Sequence, residues 1–181
     1  MKKFPEPSMA DSVVKKPRID PSAFLARGAL VMGNVEIGRD AGVWYYSVIR
    51  GDTELITIGD ETNIQDLCMI HADFGFPCRI GRRVTVGHRV ILHGCTVEDD
   101  CMIGMGSVLL NGVHLGEGSV VGAGAVLKEG TVVPPGSLIV GLPARVVRAV
   151  DEATRARIDL ACRHYIAEAK RHRDGEFPVS G

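Results

Sequence analysis

The segments Ile103-Gly104-Met105-Gly106-Ser107-Val108 and Val121-Gly122-Ala123-Gly124-Ala125-Val126 share one six-residue pattern. Each begins with an aliphatic residue, continues with glycine and carries a small residue at its fifth position. A six-residue period fits neither the helical period nor the two-residue alternation of a strand. It fits one short strand followed by one corner. Three such units therefore predict one triangular coil whose aliphatic residues point inward.

The same pattern extends through most of the chain. It slips by three residues before Ile58, gains four residues between Ile70 and Ile80, and falls one residue short before Val97. These interruptions leave a continuous set of predicted interior residues, which are Leu25, Val31, Ile37, Val43, Ile49, Ile58, Ile64, Ile70, Ile80, Val86, Leu92, Val97, Ile103, Leu109, Leu115, Val121, Leu127, Val133 and Ile139. The pattern predicts a solenoid over residues 25–150.

The two quoted segments resemble the repeat unit of the hexapeptide-repeat proteins. This resemblance implies an all-β solenoid, a left-handed parallel β-helix, and the left hand comes from the resemblance alone. From Asp151 onward the apolar spacing becomes helical, and Asp151 can cap the helix. We expect an N-terminal arm over residues 1–24, the β-helix over 25–150, a C-terminal α-helix over 151–173 on the outside of the prism, and a flexible tail over 174–181.

Composition narrows the class of protein. The 181 residues carry a net charge of -1, which gives no basic surface for nucleic acid or an anionic membrane. No apolar run approaches the roughly 20 residues of a membrane span. The five cysteines lack metal-finger spacing, which fits reduced thiols in a cytoplasmic protein. We expect Cys68 and Cys101 to pack in the interior, and we give Cys95 little weight as a metal ligand or reactive thiol.

Three of the six histidines occupy positions that the repeat turns outward. His71 and His93 follow interior residues one full coil apart, so we expect them on one face with a strand spacing of roughly 5 Å. His88 falls on a different face, so a neighbouring chain would have to supply it. A cyclic trimer would create three equal sites of this kind. We expect His114 and the helix residues His164 and His172 on the surface.

Three histidines and a water make a recurrent open zinc site, and such ligands also suit cobalt or ferrous iron. The order of the neighbouring motifs adds specificity. The motifs are Arg50-Gly51-Asp52, Asn63-Ile64-Gln65-Asp66, His71, Gly87-His88 and Leu92-His93-Gly94-Cys95. Together they resemble the γ-class carbonic anhydrases and their close relatives over about residues 25–150.

The resemblance implies a role for each matched residue. His71 and His93 of one subunit and His88 of its neighbour would bind the metal. Asn63 and Gln65 would lie beside the bound water or bicarbonate, and Asp66 would orient that group. Arg50 and Asp52 would join subunits. Taken alone, Asn63 and Asp66 also fit corner residues that bind backbone N–H groups, Gln65 a solvated face, and Arg50 and Asp52 an exposed ion pair.

The function implied is that of a zinc-dependent lyase. A cytoplasmic homotrimer would hydrate carbon dioxide reversibly with metal-bound hydroxide at its subunit interfaces. Three other functions fit the same residues: a metal-dependent acyl or thioester hydrolase, a CoA-dependent acyltransferase, and a non-catalytic trimeric metal-binding protein. The acyltransferase lacks support because such enzymes often use a long inserted loop, and the insertion here is short.

One departure from the family affects the expected rate. Well-studied γ-class enzymes have an acidic loop near the first metal histidine, with a glutamate that shuttles protons. The corresponding segment here, residues 72–78, contains a single acidic residue, Asp73. An ordinary aspartate has a pKa near 3.9 and accepts protons poorly at neutral pH. We therefore expect weak hydration activity that depends on buffer.

Overall fold

The six-residue repeat produces strands that are mostly two or three residues long. A computed structural model describes residues 15–180, and the elements below are those of this part of the chain. In chain order they are β1 (Arg18–Ile19), β2 (Phe24–Leu25), β3 (Leu30–Ile37), β4 (Gly42–Val43), β5 (Val48–Ile58), β6 (Asn63–Ile64), β7 (Met69–His71), β8 (Cys78–Ile80), β9 (Thr85–Val86), β10 (Ile91–His93), β11 (Thr96–Val97), β12 (Met102–Ile103), β13 (Val108–Leu109), β14 (His114–Leu115), β15 (Val120–Val121), β16 (Val126–Leu127), β17 (Val132–Val133), β18 (Ser137–Gly141), β19 (Ala144–Ala149) and α1 (Glu152–Arg173).

These strands stack in parallel as three columns, which form the faces of a prism. Face 1 contains β1, the second halves of β3 and β5, β8, β11, β14 and β17. Face 2 contains β2, β4, β6, β9, β12, β15 and β18, with β19 antiparallel at its end. Face 3 contains the first halves of β3 and β5, then β7, β10, β13 and β16. The chain is thus a left-handed parallel β-helix of about 7 turns with one C-terminal helix, as predicted.

The interior of the prism is a column of aliphatic side chains. From Ile37 to Ile139 all predicted interior residues are buried, and neighbouring coils place them in direct register, as in Ile70 with Leu92. Leu25 and Val31 were predicted to be interior, but Leu25 is 40% exposed and Val31 only partly buried. Both align with interior residues of the next coil. They belong to the first described coil, so they are packed from one side.

The corners require residues in the left-handed region of backbone conformation. Each corner places one such residue above another. Between faces 2 and 3 this column includes Tyr46, Leu67 and Arg89, with φ of 58°, 62° and 59°. Later coils use glycine at this corner, as at Gly106 and Gly124. Side chains other than glycine adopt this conformation at a cost, and the hydrogen-bonded stacking of coils offsets it.

The helix α1 packs outside the prism on face 2, as expected. The side chain of Asp151 accepts a hydrogen bond from the backbone N–H of Thr154 at 2.8 Å, which caps the helix. Ile158, Cys162 and Ala169 are buried against β2, β4, β6 and β9. Helix α1 thereby covers the half of face 2 that carries Asn63 and Gln65.

The structure differs from the predicted boundary of the N-terminal arm. The arm predicted over residues 1–24 is wrong for residues 18–24, because β1 pairs in parallel with Glu36 and Ile37 and β2 belongs to the first described coil. Residues 1–14 of the predicted arm lie outside the described residues. In the predicted tail, Phe177 packs beside His172 with ring centroids 4.6 Å apart. Flexibility of this tail stays a prediction.

Candidate metal site

His71 and His93 lie side by side on face 3. They end β7 and β10, which pair in register so that His71 is the Cα partner of His93. Both side chains point outward, since the preceding residues Ile70 and Leu92 are fully buried and strand side chains alternate. The prediction that these two histidines share one face one coil apart is confirmed.

Hydrogen bonds connect this pair to three further side chains. Nδ1 of His71 lies 3.0 Å from Nε2 of His93. The other nitrogen of His71, Nε2, lies 3.1 Å from Oδ1 of Asp52. The other nitrogen of His93, Nδ1, lies 2.7 Å from Oδ1 of Asn111. Arg50 completes the set, called the histidine-pair group below, by donating to Asp52 at 2.5 Å.

These partners determine which ring nitrogens carry protons. An ionised carboxylate can only accept, so Asp52 places a proton on Nε2 of His71. The amide oxygen of Asn111 places a proton on Nδ1 of His93. The two remaining nitrogens then direct lone pairs toward each other across 3.0 Å. A cation between these two nitrogens would satisfy both lone pairs.

A metal fits this arrangement. With Zn–N distances of about 2.0–2.1 Å, two nitrogens of a tetrahedral zinc lie about 3.3 Å apart, close to the separation found here. Histidines that bind metals also donate their second N–H to a carboxylate or carbonyl oxygen, as both do here. The donor set of the histidine-pair group therefore suits a zinc-like cation.

Asp52 is ionised at neutral pH in this environment. Partial desolvation acts to raise its pKa, but hydrogen bonds from Arg50 and His71 outweigh that effect and hold the pKa of Asp52 below its ordinary value. The sequence assigned Asp52 to subunit contacts alone. Its bond to His71 gives it a second contact, with a predicted metal ligand.

His88 lies in a different group, at the corner between faces 2 and 3. It occupies the turn after β9 rather than a strand on a separate face, which corrects the predicted placement. Nδ1 of His88 lies 2.8 Å from Oδ2 of Asp66. A carboxylate on Nδ1 leaves Nε2 of His88 as a lone-pair donor. The His88 side chain is 43% exposed, so a second molecule can reach it.

Asn63 and Gln65 form a buried amide pair near this corner. Asn63 lies on β6 and Gln65 directly after it, and both side chains point outward on either side of the interior residue Ile64. Nε2 of Gln65 donates a hydrogen bond to Oδ1 of Asn63 at 3.3 Å. Asn63 also donates to Oγ of Thr85 at 3.0 Å. Both residues are at most 5% exposed. They are therefore neither a solvated face nor a turn. We call Asn63, Gln65, Asp66 and His88 the His88 group.

The two groups flank opposite edges of face 3. The histidine-pair group lies at the edge toward face 1, and the His88 group lies at the edge toward face 2. Among residues 15–180 of a single chain, no three His, Cys, Asp or Glu side chains converge to hold a metal. The three histidines of the resemblance are thus divided between two surfaces.

Between these edges face 3 exposes an apolar strip. Register places its outward residues in one row. The row consists of Leu30, Val48, Met69, Ile91, Val108 and Val126. Leu30, Met69 and Ile91 are at least 40% exposed. A contiguous apolar surface of this kind marks an interaction site.

The cysteines do not take part in either group. Because the corner before Val97 is one residue short, Cys95 rather than Thr96 occupies the interior position, where it is fully buried. A hydrogen bond with Cys78 and burial raise the pKa of Cys95. Burial raises the pKa of Cys68 and of Cys101 to about 12. These thiols are packing residues, as predicted for Cys68 and Cys101.

Two residues depart from the sequence analysis. Asn111 was missed: β10 and β13 pair at an offset of seventeen residues, which aligns His93 with Leu110 and puts Asn111 one position farther, at the corner. A polar residue at the corner one coil beyond His93 is the signal that could have found it. His172 was predicted on the surface, but it shares a hydrogen bond with the Tyr45 hydroxyl at 2.8 Å and packs on Trp44.

His114 pairs with Glu98 at 2.7 Å and is 44% exposed. A histidine–carboxylate pair by itself is therefore not specific.

Known proteins resemble the chain in both sequence and fold. Residues 77–111 and 94–129 match the family model described as bacterial transferase hexapeptide (six repeats). A carbonic anhydrase of Geobacillus kaustophilus is 44% identical over 156 residues, with 86% of each chain covered. Mitochondrial gamma carbonic anhydrase 2 of Arabidopsis thaliana is 39% identical over 164 residues. The chain belongs to the γ-class carbonic anhydrase-like family of hexapeptide-repeat proteins.

Other comparisons within this family concern length and fold. The alignment with the Arabidopsis protein covers 87% of this chain but 59% of that protein. A hexapeptide transferase family protein from Anaplasma phagocytophilum has a solved structure with a TM-score of 0.82 and 38% identity. The superposition covers 85% of this chain and 91% of the Anaplasma protein. The γ-class family thus shares its coil with proteins named transferases.

Proposed function

We propose that this chain is a zinc-dependent carbonic anhydrase that hydrates carbon dioxide reversibly at sites shared between the subunits of a homotrimer. The observation that carries the proposal is the 3.0 Å approach of Nδ1 of His71 to Nε2 of His93, with Nε2 of His88 available at the other edge of the same face. The relatives named carbonic anhydrase support the activity.

The division of the site supports an assembly with cyclic symmetry. In a ring of three chains, the edge of face 3 with the histidine-pair group would meet the neighbour's edge with the His88 group. The apolar strip lies between the two edges, where its burial would stabilise the ring. His71 and His93 of one subunit and His88 of the next would then hold the metal.

The proposed division of labour follows from the contacts of each side chain. A bound zinc would lower the pKa of its water to about 7 and so supply hydroxide at neutral pH. Asp52, Asn111 and Asp66 would each hold one imidazole in orientation through its second nitrogen. Gln65, held by Asn63, would present its amide to the reacting oxygen, and Asp66 would orient this group. The buried apolar strip would exclude bulk water.

The alternatives differ in substrate or in reactivity. An acyl or thioester hydrolase would use the same residues and metal, and a non-catalytic trimer would keep the metal alone. The transferase name of the Anaplasma protein is consistent with a CoA-dependent acyltransferase. That reading leaves the three histidine–acceptor contacts without a role. Loading the metal-free protein with cobalt or ferrous iron tests whether either metal supports hydration in place of zinc.

The sharpest test of a shared site is complementation. His88→Ala chains keep the histidine pair, and His93→Ala chains keep His88, so neither variant alone should bind zinc at a complete site. Random trimers from a 1:1 mixture should regain about one site in four, because one of four neighbour combinations joins the two intact halves. Zinc content and carbon dioxide hydration of the refolded mixture are measured together.

His114→Ala is the matched control, since His114 also pairs with a carboxylate outside both groups and should keep full zinc content. No recovery of zinc in the mixture would contradict shared sites. If the mixture regains zinc but the zinc-loaded parent protein does not hydrate carbon dioxide, the hydrolase or the non-catalytic trimer is favoured.

A further inference from the structure

Asn111 contacts a predicted metal ligand but belongs to none of the sequence motifs, and it sits at the corner between faces 3 and 1. It follows β13 and lies one coil beyond His93. Its Oδ1 is 2.7 Å from Nδ1 of His93. Because an asparagine side chain carries both an oxygen and an NH₂ group, its effect on His93 depends on which of the two faces the ring.

Asp73 decides that orientation. Oδ2 of Asp73 lies 3.3 Å from Nδ2 of Asn111 and can only accept when ionised. If the side-chain amide of Asn111 rotated by 180°, its oxygen would face the carboxylate of Asp73 and its NH₂ group would face His93. The contact with Asp73 would then be repulsive, and Asn111 would donate to His93 instead of accepting. The carboxylate therefore favours the orientation in which the amide oxygen faces His93.

The short segment after His71 holds Asp73 in place. Backbone hydrogen bonds between Asp73 and Phe76, at 2.8 and 3.3 Å, close a tight turn. Oδ1 of Asp73 also accepts from the backbone N–H of Phe74 at 2.9 Å. Both carboxylate oxygens are thus engaged, one by the turn itself and one by Asn111.

The absence of a side chain at Gly94 makes space for the contact between Asn111 and His93. A Cβ atom at Gly94 would lie 2.3 Å from Oδ1 of Asn111 and 2.8 Å from Cβ of Phe76. Its φ of +55° also suits glycine best. The one-residue shortening of the coil after Leu92 and the glycine at this corner together bring Asn111 to the imidazole of His93.

We infer that Asp73 and Asn111 form a positioning relay that sets the tautomer of His93, with the proton on Nδ1 and the lone pair of Nε2 turned toward His71. The inference rests on the proposed function for its consequence, which is tighter metal binding. It assigns the short loop a structural purpose in the site. Asp73 acts through Asn111 and does not touch the reacting atoms.

The test combines two readouts on the assembled protein. The first is the tautomer of His93, read from imidazole ¹⁵N shifts of histidine-labelled, metal-free protein. The second is zinc affinity from competition with a chelator. Asn111→Leu should give a mixed tautomer and bind zinc about 10–100-fold more weakly, which is the usual effect of losing a partner behind a metal histidine. Asp73→Ala should act in the same direction because the amide becomes free to turn over.

A double variant separates positioning from general structure. Asp73→Asn combined with Asn111→Asp exchanges donor and acceptor between the two side chains but keeps an oxygen toward His93. It should restore the parent tautomer and most of the zinc affinity. Glu129→Leu, at the matching corner position one coil later and exposed, is the control and should leave both readouts unchanged.

The outcomes distinguish this inference from the proposed function. A parent tautomer in both Asn111→Leu and Asp73→Ala would overturn the relay, as would a double variant no better than Asn111→Leu. Parent protein and Glu129→Leu that both fail to bind zinc would overturn the proposed function. The ¹⁵N readout would still decide whether the relay sets the tautomer.

Discussion

At the scale of single residues, the site depends on which atom each side chain presents. His71, His88 and His93 each have an oxygen acceptor on one ring nitrogen, supplied by Asp52, Asp66 and Asn111. Residue identity alone predicted the three histidines but not the tautomers. The tautomers depend on acceptors that lie eighteen or more residues away in the sequence.

The pair Arg50–Asp52 provides a prediction at this scale. Asp52→Ala should lower zinc affinity, because His71 loses the acceptor that holds its proton on Nε2, by about 10–100-fold. Arg50→Ala should affect zinc less, since the guanidinium of Arg50 bonds to Asp52 and not to the ring of His71. Chelator competition measures the first effect, and sedimentation at several protein concentrations measures whether either variant weakens assembly. Equal zinc affinity in all three proteins would assign the pair to the surface.

Proton export is a second prediction for single residues. Both carboxylate oxygens of Asp73 are engaged, so this residue is poorly suited to carry protons outward. We expect stopped-flow hydration to be slow and to rise steeply with buffer concentration, because buffer takes the proton. Asp73→Asn should change the buffer dependence little. A fast rate at low buffer would show that another group exports the proton.

At the scale of elements, the helix α1 protects the amide pair. It covers β4, β6 and β9, where Asn63 and Gln65 are buried. Arg83 anchors the helix by donating to Asp159 at 2.6 Å, and Asp100 on the next coil accepts from the same guanidinium at 2.8 Å. The hydrogen bonds that Arg83 donates, first to Asp100 and then to Asp159, raise the pKa of Arg83 above its ordinary value. The helix is therefore part of the support of the His88 group.

Removing one buried contact of this helix tests that support. Ile158 is 3% exposed, so Ile158→Ala should lower the free energy of unfolding by about 2–5 kcal/mol if the site cannot collapse. Leu160, on the same helix and 63% exposed, provides the control, and Leu160→Ala should change it little. Urea unfolding followed by circular dichroism measures both. Equal losses in the two variants would mean that α1 is not docked as described.

At the scale of the whole molecule, face 3 is the uncovered surface that carries the apolar strip. Helix α1 occupies face 2, and the apolar strip of face 3 lies between the two halves of the proposed site. No helix in the described residues is both long enough and apolar enough to cross a membrane. The cytoplasmic location stays a prediction.

Charges placed on the strip should separate the subunits. Met69→Glu with Ile91→Glu puts two carboxylates on adjacent coils of face 3, and burying them at an interface would be costly. We expect sedimentation of this variant as monomer, with unchanged circular dichroism and loss of bound zinc. Val132→Glu is the control, since Val132 is 72% exposed on face 1. A trimer that persists in the double variant would place the interface elsewhere.

The repeat was readable from the sequence because it is local. An aliphatic residue every sixth position determines which side chains are interior, and this predicted the parallel coil, the outward direction of His71 and His93 and their register. The capped helix was predicted from Asp151 and its apolar spacing for the same reason.

Contacts between coils and across corners required the tertiary structure. The one-residue shortening after Leu92 was visible, but its consequence was not: it moves Cys95 inside and brings Asn111 to His93. Tyr45 and His172, 127 residues apart, meet because α1 runs back along face 2. Periodicity determines which way a side chain points, whereas the stacking of coils determines which atom it meets.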